Sequence, residues 1–281
     1  MFRAQKIESL DLPALEPYRT MRRQLEHKAQ GIFVAEGEKV VRRLLESKFI
    51  VVSMLLPERW LGDLMPLLQS RPEEVQVYVA EKSLLETLTG FSMYQGLLAV
   101  GKIPERISLE EILAGSPAPR LLAAADGLSS AENLGALVRN AAAFGAHGLI
   151  VGETCGSPFL RRAVRSSMGA IFELPIAETN NLAQTLRKLP AGGIRCVAAH
   201  PHATGANLSG ADFRRDCCIV FGSEGQGISP AVLEVCEEAV AIPMGRRVDS
   251  LNVGSAAAVF FYEANRQRGN MQGNYLTGRT G

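Results

Sequence analysis

The chain has 281 residues, of which 47% are hydrophobic, and its formal net charge is +1 at pH 7. This length and composition predict one large or two ordinary soluble domains, of which we favour two. The charge excludes a uniformly basic nucleic-acid coat but allows local basic faces. The five cysteines are odd in number and lack Cys-x-x-Cys spacing, and no apolar run has the length of a membrane span. We therefore expect a cytoplasmic protein with free thiols, no metal and no membrane contact.

The first hundred residues alternate helix-like and strand-like patterns. Residues 17–27 form the first predicted helix, which carries Arg22 and Arg23 within a basic cluster. Phosphate contacts require such local basic faces, although for any single cluster a solvated helix face is the favoured explanation. The remaining elements complete a small α/β unit. Its other predicted helices are residues 39–46, 57–69 and 84–88, and its predicted strands are residues 32–35, 49–56, 75–79 and 96–100.

Residues 114–119, Ala-Gly-Ser-Pro-Ala-Pro, favour neither helix nor central strand and predict a linker. We accordingly expect domains at 1–103 and 120–269, a linker at 104–119 and a loose polar tail at 270–281. Mostly apolar strands separated by helices predict a parallel sheet in the second domain, with ligands bound beyond the carboxyl ends of its strands. The predicted strands are 121–125, 148–151, 194–199, 217–221 and 239–242, and the helices are 134–144, 158–168, 182–189, 230–237 and 253–268.

Two loops after strands of the second domain carry polar residues that apolar packing does not explain. Asn133 and Arg139 follow the strand at 121–125, where Asn133 could simply cap a helix and Arg139 could be a solvated side chain. The loop 222–227, Gly-Ser-Glu-Gly-Gln-Gly, follows the strand at 217–221, and its glycines would let a ligand meet the backbone. Glu224 would repel a phosphate, so this loop better suits a cationic or hydroxyl-bearing ligand.

A third loop leaves the strand at 239–242, contains Arg246 and Arg247, and enters a helix through Ser250 and Asn252. Either Ser250 or Asn252 could cap that helix, but capping needs only one of them. The two arginines form one of the local basic pairs that phosphate contacts require, with a solvated loop as the alternative. His200 and His202 could form a metal pair or an acid–base group, but no third ligand is evident, so no metal is expected.

Taken in order, these loops resemble the three motifs of SPOUT methyltransferases of the SpoU (TrmH-like) branch. The resemblance rests on Asn133-Leu134-Gly135 with Arg139, on Gly222-Ser223-Glu224-Gly225 with Gly227, and on Ile242-Pro243-Met244 with Ser250-Leu251-Asn252-Val253. Residues 167–170, Ser-Met-Gly-Ala, are similar to the Ser-x-Gly-Ala element of that family. Residues 31–37 and 94–96 are similar, over a shorter stretch, to the ribosomal-protein-like RNA-binding domain that often precedes it.

The resemblance implies a fold, a reaction and an assembly. The fold class is α/β, with a C-terminal parallel-sheet SPOUT domain containing a deep trefoil knot, preceded by a small α/β RNA-binding domain; topology rules alone would not propose a knot. The reaction is S-adenosyl-L-methionine-dependent methylation of a ribose 2′-hydroxyl in structured RNA, with rRNA favoured over tRNA. The assembly is a homodimer through the C-terminal domain, whose active site is completed by both subunits.

The resemblance also assigns residues by motif. The cofactor would meet Gly222, Ile242, Met244 and Leu251, and the RNA would meet Arg22, Arg23, Arg246 and Arg247. The catalytic surroundings would be formed by Asn133, Arg139, Glu224, Ser250 and Asn252.

Two departures from the family pattern occur: Ser130-Ala131 replaces the common Asp-Pro, and Arg246 replaces a glycine. The main alternative is a non-catalytic RNA-binding protein that retains the methyltransferase scaffold, and the intact motif residues argue against it. A nicotinamide-dependent dehydrogenase is disfavoured because no glycine fingerprint follows the first strand of either domain.

Overall fold

The computed structural model describes residues 2–89, 96–203, 206–245 and 249–269. By its contacts the chain divides into two units, Met1–Glu105 with Ser157–Glu173, and Arg106–Gly156 with Leu174–Gly281. The segment Ser157–Glu173 therefore packs with the first unit, although the sequence had suggested the second domain. The tail at 270–281 lies outside the described residues, and the functional domain boundaries stay a prediction.

The first unit is built on a mixed five-stranded sheet in the order β1-β4-β3-β5-β2. β4 is parallel to β1 and β3, whereas β5 is antiparallel to β3 and β2. The four strands predicted from the sequence are present, together with one further strand. The strands and α-helices up to residue 102 are β1 Phe2–Lys6, α1 Glu16–Arg19, α2 Gln24–Ala29, β2 Ile32–Glu36, α3 Glu38–Glu46, β3 Val51–Leu56, α4 Arg59–Gln69, β4 Val75–Val79, α5 Lys82–Thr89 and β5 Leu98–Lys102.

Two sequence-based expectations for this unit are wrong. The predicted helix at 17–27 is interrupted between α1 and α2, because Met21 turns into the core and the Thr20 hydroxyl donates to the Glu16 carbonyl (2.8 Å). Such side-chain bonds compete with helical ones. The edge strand β1 was missed because its mostly exposed, polar residues lack an apolar pattern.

The second unit contains a seven-stranded sheet in the order β10-β12-β9-β11-β6-β7-β8, in which every recorded strand pair is parallel. All five predicted strands and the predicted parallel α/β class are confirmed. The strands and α-helices of this unit are α6 Leu109–Ala114, β6 Leu121–Asp126, α7 Ala131–Ala143, β7 Gly148–Val151, β8 Ile176–Glu178, α9 Leu182–Arg187, β9 Arg195–Ala199, β10 Ala206–Asn207, β11 Cys217–Gly222, α10 Pro230–Leu233, β12 Glu238–Ala241 and α11 Val253–Gln267. The helix α8 Arg161–Ser166 belongs to the segment that packs with the first unit.

The stretch 104–119, expected to be a linker, contains the helix α6. Ser108 caps this helix in a capping box: its hydroxyl accepts from the Glu111 N–H (3.1 Å), and the Glu111 carboxylate accepts from the Ser108 N–H (2.8 Å). Ile112 then packs into the core of the second unit. The Ser-x-x-Glu spacing is typical of a helix start, whereas the prolines that follow it favour a linker.

The end of α11 is anchored to the body of the second unit. The Gln267 amide accepts from the Phe213 N–H (2.8 Å) and donates to the Ala211 carbonyl (2.8 Å). Arg268 donates to the Phe213 carbonyl (2.7 Å) and to the Pro119 carbonyl (2.7 Å). The helix that begins at the third motif is therefore held at its far end independently of that motif. No helix in the described ranges has the length and apolar character needed to cross a membrane.

Candidate active site

A cavity of about 260 Å³ lies beyond the carboxyl ends of β9, β11 and β12 in the second unit. Parallel α/β sheets bind ligands at this edge, so its location agrees with the expectation from the strand pattern. Its lining includes the four residues predicted to meet a cofactor and two predicted to be catalytic: Gly222, Ile242, Met244 and Leu251, with Glu224 and Ser250.

Asn252 joins three motifs that are far apart in the sequence. Its side-chain Nδ2 donates to Asn133 Oδ1 (3.0 Å) and to Glu224 Oε1 (2.5 Å). Its Oδ1 accepts from the Gly254 N–H (2.9 Å), which makes Asn252 the N-cap of α11. Three of the five predicted catalytic residues are thus in direct contact, and the amide of Asn252 uses both its oxygen and its nitrogen.

The N-cap fixes the direction of these hydrogen bonds. A backbone N–H can only donate, so the side-chain oxygen of Asn252 must face Gly254 and its NH₂ group must face Asn133 and Glu224. Asn133 therefore accepts through its oxygen, and its own NH₂ has no partner among the described residues. Glu224 likewise keeps Oε2 as an unused acceptor within that part of the chain. The cluster consequently offers one amide donor and one carboxylate acceptor to a ligand.

Arg139 lies on the exposed face of α7 and has no hydrogen-bond or ion-pair partner among the residues that the structure describes. The alternative that Asn133 caps α7 is wrong. Ser130 is the N-cap, and its hydroxyl accepts from the Asn133 N–H (3.3 Å). The Asn133 side chain is thereby released for its bond to Asn252. Ser250 is exposed, and no hydrogen bond ties it to the described cluster.

The loop 222–227 is a tight turn closed by its own backbone. Ser223 and Gly227 exchange two backbone hydrogen bonds (3.0 and 2.9 Å), and Gly227 has a φ of +70°. A side chain at Gly222 would overlap the backbone of Gly227 and Ile228. Glycine is therefore required at position 222 because the loop closes tightly on its own backbone. From the sequence, the glycines of this loop were expected instead to let a ligand approach the backbone. The closed turn places Glu224 beside Asn252.

Replacing Gly222 by alanine should destabilise the second unit by about 1–3 kcal/mol, because the added methyl group overpacks the turn. Urea unfolding monitored by circular dichroism measures this change. Gly225→Ala is the matched control, since a Cβ there would meet nothing within 4 Å. Equal stabilities for the two variants would contradict this description of the loop.

A buried carboxylate that sequence reasoning did not single out anchors the same loop. Asp126, at the end of β6, is 6% exposed, and its Oδ2 accepts from the Ser229 N–H (2.7 Å). Ser229 is the N-cap position of α10, and Asp126 is paired with Gly222 across the β6–β11 ladder. A charged residue closing an otherwise apolar strand was the available signal.

A sequence model of the SpoU rRNA Methylase family matches residues 120–262, which contain the cavity and the Asn252 cluster. The chain belongs to this SpoU family. An uncharacterized tRNA/rRNA methyltransferase of Mycobacterium tuberculosis is 34% identical over 241 residues, covering 84% of this chain and 82% of the relative.

Two solved structures resemble nearly the whole SpoU chain. An RNA 2′-O ribose methyltransferase has a TM-score of 0.78 and 29% identity, and the match covers 94% of this chain and 99% of that one. The SpoU methyltransferase AviRb of Streptomyces viridochromogenes, in complex with the cofactor AdoMet, has a TM-score of 0.77 and 26% identity, and the match covers 90% and 97%. The family resemblance read from the motifs is confirmed.

The first departure from the SpoU pattern has a structural explanation. Ser130 replaces the aspartate that is common there, and as the N-cap of α7 it supplies the oxygen that the helix end requires. Serine and aspartate are comparable in this role. The second departure, Arg246, and its neighbour Arg247 lie outside the described residues, as do residues 94 and 95 of the first-domain motif.

Other candidate groups in this SpoU chain remain separate from the cluster. His200 and His202 line the cavity, and His200 Nδ1 accepts from the His202 N–H (3.2 Å). No group of three or more His, Cys, Asp or Glu in the described ranges could hold a metal ion. All five cysteines are free, and burial raises the pKa of the Cys196 thiol to about 12, which disfavours a thiolate nucleophile there.

The two arginines predicted to bind RNA in the first unit lie between α1 and α2. Both are exposed, and Arg23 Nη1 lies 3.5 Å from Glu26 Oε1. Exposed ion pairs of this kind contribute little and break readily, so this one would not prevent a phosphate contact. The assignment of RNA binding to Arg22 and Arg23 stays a prediction.

Proposed function

We propose that this protein methylates a ribose 2′-hydroxyl in structured RNA, with S-adenosyl-L-methionine as cofactor and with rRNA favoured over tRNA. The observation that carries the proposal is the Asn252 amide, which unites Asn133 and Glu224 beside the cavity. The similarity to a protein described as an RNA 2′-O ribose methyltransferase, over 94% of this chain, supports the ribose as target.

The cavity suits S-adenosyl-L-methionine. Ile242 and Leu251 provide apolar wall for a purine, and Glu224 provides an acceptor for hydroxyl groups or an attraction for a sulfonium. S-adenosyl-L-methionine carries no phosphate, so the carboxylate that argues against a nucleotide phosphate is no obstacle. AviRb, which is similar over 90% of this chain, holds the same cofactor. When bound, the cofactor supplies a methyl group already activated on sulfur.

The residues of the chain would then align the attacking oxygen and stabilise its developing charge. Arg139 is exposed and its guanidinium carries donors but no acceptor, so we assign it to bind the RNA phosphate and polarise the 2′-oxygen rather than to act as a base. The Asn133 NH₂ and Glu224 Oε2 remain to position the ribose, since an amide donor and a carboxylate acceptor complement hydroxyl groups. The 2′-oxygen forms its bond to the methyl carbon as the bond from that carbon to sulfur breaks, with the electron pair of the broken bond remaining on sulfur, and the hydroxyl proton leaves to solvent.

The predicted trefoil knot and the homodimer through the C-terminal domain also belong to this proposal. α11 exposes Val259 and Tyr262, whose exposed fractions are 37% and 46%. Exposed apolar residues on one helix are compatible with a partner surface. Sedimentation equilibrium tests the dimer, and a monomer at micromolar concentration would count against it.

Arg246 and Arg247 are predicted to contact RNA phosphate. Changing both to alanine should weaken RNA binding and reduce the slope of log K against log salt by about 1.4–1.8, since each phosphate contact contributes about 0.7–0.9. Filter binding at several salt concentrations measures this slope. Arg214→Ala with Arg215→Ala is the control with the same loss of charge. An unchanged slope for the first pair would exclude the contact.

Two assays test the proposed function together. Titration with S-adenosyl-L-methionine, followed by calorimetry, should yield saturable binding. RNA from cells that lack the protein should accept labelled methyl groups as 2′-O-methylnucleosides. Cofactor binding without transfer to any cellular RNA, or RNA binding without cofactor, would favour the non-catalytic RNA-binding alternative. Methyl groups on bases would overturn the ribose assignment.

A further inference from the structure

We infer that Asn140 is a positioning residue for methyl transfer, acting through Asn252 and not by contact with the substrate. Asn140 lies on α7, next to Arg139, and its Nδ2 donates to the Gly254 carbonyl (2.6 Å). Gly254 is in the first turn of α11, two residues after Asn252. This inference rests on the proposed function, because it assigns Asn140 a part in arranging the same site.

The contact belongs to a seam between α7 and α11, in which three residues of α7, Asn133, Ala136 and Asn140, face the start of α11. At one end Asn252 Nδ2 donates to Asn133 Oδ1 (3.0 Å). In the middle, a Cβ added to Gly254 would lie 2.9 Å from the Ala136 Cβ, so the helices approach more closely than any larger residue would allow. At the other end is the bond from Asn140. The three α7 residues 133, 136 and 140 are spaced three and four apart and share one helix face.

This seam determines where Asn252 lies. The same Gly254 whose carbonyl accepts from Asn140 donates its N–H to Asn252 Oδ1 (2.9 Å). Asn140 therefore holds the residue that orients the Asn252 amide, and this amide in turn holds Asn133 and Glu224. Arg139 and Asn140 are adjacent on α7, so the helix would present the arginine to RNA while its neighbour fixes the third motif against it.

Asparagine suits this position for a specific reason. The Gly254 carbonyl accepts a helical hydrogen bond within α11 and retains one lone pair, which only a donor can use. The half-buried Asn140 supplies that donor without adding charge next to Arg139. Asn140→Asp keeps the size and shape of the side chain, removes the donor, and puts a carboxylate oxygen against the carbonyl.

The first test measures catalysis. Asn140→Asp should lower kcat about tenfold, whereas the KM for RNA and the Kd for S-adenosyl-L-methionine should stay within about threefold, because misplacing a catalytic group chiefly costs rate. Gln267→Ala is the matched control: it removes an amide that anchors the opposite end of the same helix, far along the chain from the motif. It should keep kcat near the wild-type value even where it lowers the melting temperature.

The second test asks whether Asn140 acts through Asn252. In an Asn252→Ala background, adding Asn140→Ala should change kcat by less than about twofold, because residues that act as a unit are not additive. Independent multiplication of the two losses would overturn the inference. So would an unchanged kcat in folded Asn140→Asp, or an equal loss in Gln267→Ala.

A third readout does not depend on activity. In the free protein, Asn140→Ala should increase hydrogen exchange of the Gly254 amide about tenfold while leaving the amides near Gln267 at wild-type protection. Unchanged exchange at Gly254 would overturn the inference. If the wild-type protein failed to methylate RNA, the proposed function would fall, but this measurement would still report whether Asn140 secures the start of α11.

Discussion

Arg139→Lys should lower kcat at least about a hundredfold, the scale observed when a preorganised donor to a developing oxyanion is lost. Arg139 is exposed on α7, and no residue in the described ranges forms a hydrogen bond or an ion pair with its guanidinium. Lysine keeps the charge but loses the planar fork that can hold a phosphate in a bidentate manner while also reaching the attacking oxygen. The loss should therefore appear although the net charge is unchanged. Single-turnover methyl transfer to RNA measures it.

The Kd for S-adenosyl-L-methionine should change by less than about twofold in this variant, because Arg139 does not line the cavity and the substitution removes none of the contacts that bind the cofactor there. Arg187→Lys, an exposed arginine on α9, is the matched control and should retain the wild-type rate. Full activity of Arg139→Lys would show that a point charge suffices, and the assignment as a phosphate clamp would then be rejected.

Asn252→Asp should also lower kcat by about two orders of magnitude, because misplaced reacting groups cost about that much. Aspartate retains the oxygen that accepts from Gly254 but loses the NH₂ that donates to Asn133 and Glu224. A second carboxylate would then lie at hydrogen-bond distance from Glu224, and the two like charges would separate the motifs. Aspartate and asparagine are equal N-caps, so the free energy of unfolding should change by less than about 1 kcal/mol.

Asn252→Ala provides the comparison that separates the two roles of the side chain. It removes the cap as well as the bridge, so it should lose about 1 kcal/mol of stability in addition to activity. Urea denaturation and methyl-transfer rates on the three proteins distinguish the outcomes. An Asn252→Asp enzyme with nearly wild-type kcat would mean that Asn252 serves only to cap α11.

Much of the second unit could be predicted because its strands are long, apolar and followed by helices. Strand β8, with three residues, and β10, with two, are too short to carry a periodic pattern. The helix α6 was not predicted because of the prolines near it, although Ser108 and Glu111 have the spacing of a capping box. The packing of Ser157–Glu173 with the first unit depends on contacts such as Phe33 with Phe172, whose ring centroids are 5.7 Å apart. No local sequence signal specifies such contacts.

The motif residues could be named from the sequence, but their physical roles could not. Asn133 and Asn252 each looked like a possible cap, and only the structure assigns the caps to Ser130 and Asn252. The bond between Asn133 and Asn252 spans 119 positions, so it depends on how α7 and α11 pack. Asp126 was overlooked for the same reason, because its role is to accept a hydrogen bond from Ser229, which is 103 positions away in the sequence.

Methylation of a ribose 2′-hydroxyl is tested most directly on the RNA substrate. Once the methylated nucleotide has been mapped, a synthetic substrate carrying a 2′-deoxy nucleotide at that one position removes the proposed attacking oxygen and leaves the base intact. We predict that the wild-type enzyme binds this RNA with nearly unchanged affinity and transfers no methyl group to it. Methyl transfer to the deoxy substrate at the rate of the ribose substrate would contradict the assignment of the Asn133, Glu224 and Asn252 cluster to ribose methylation.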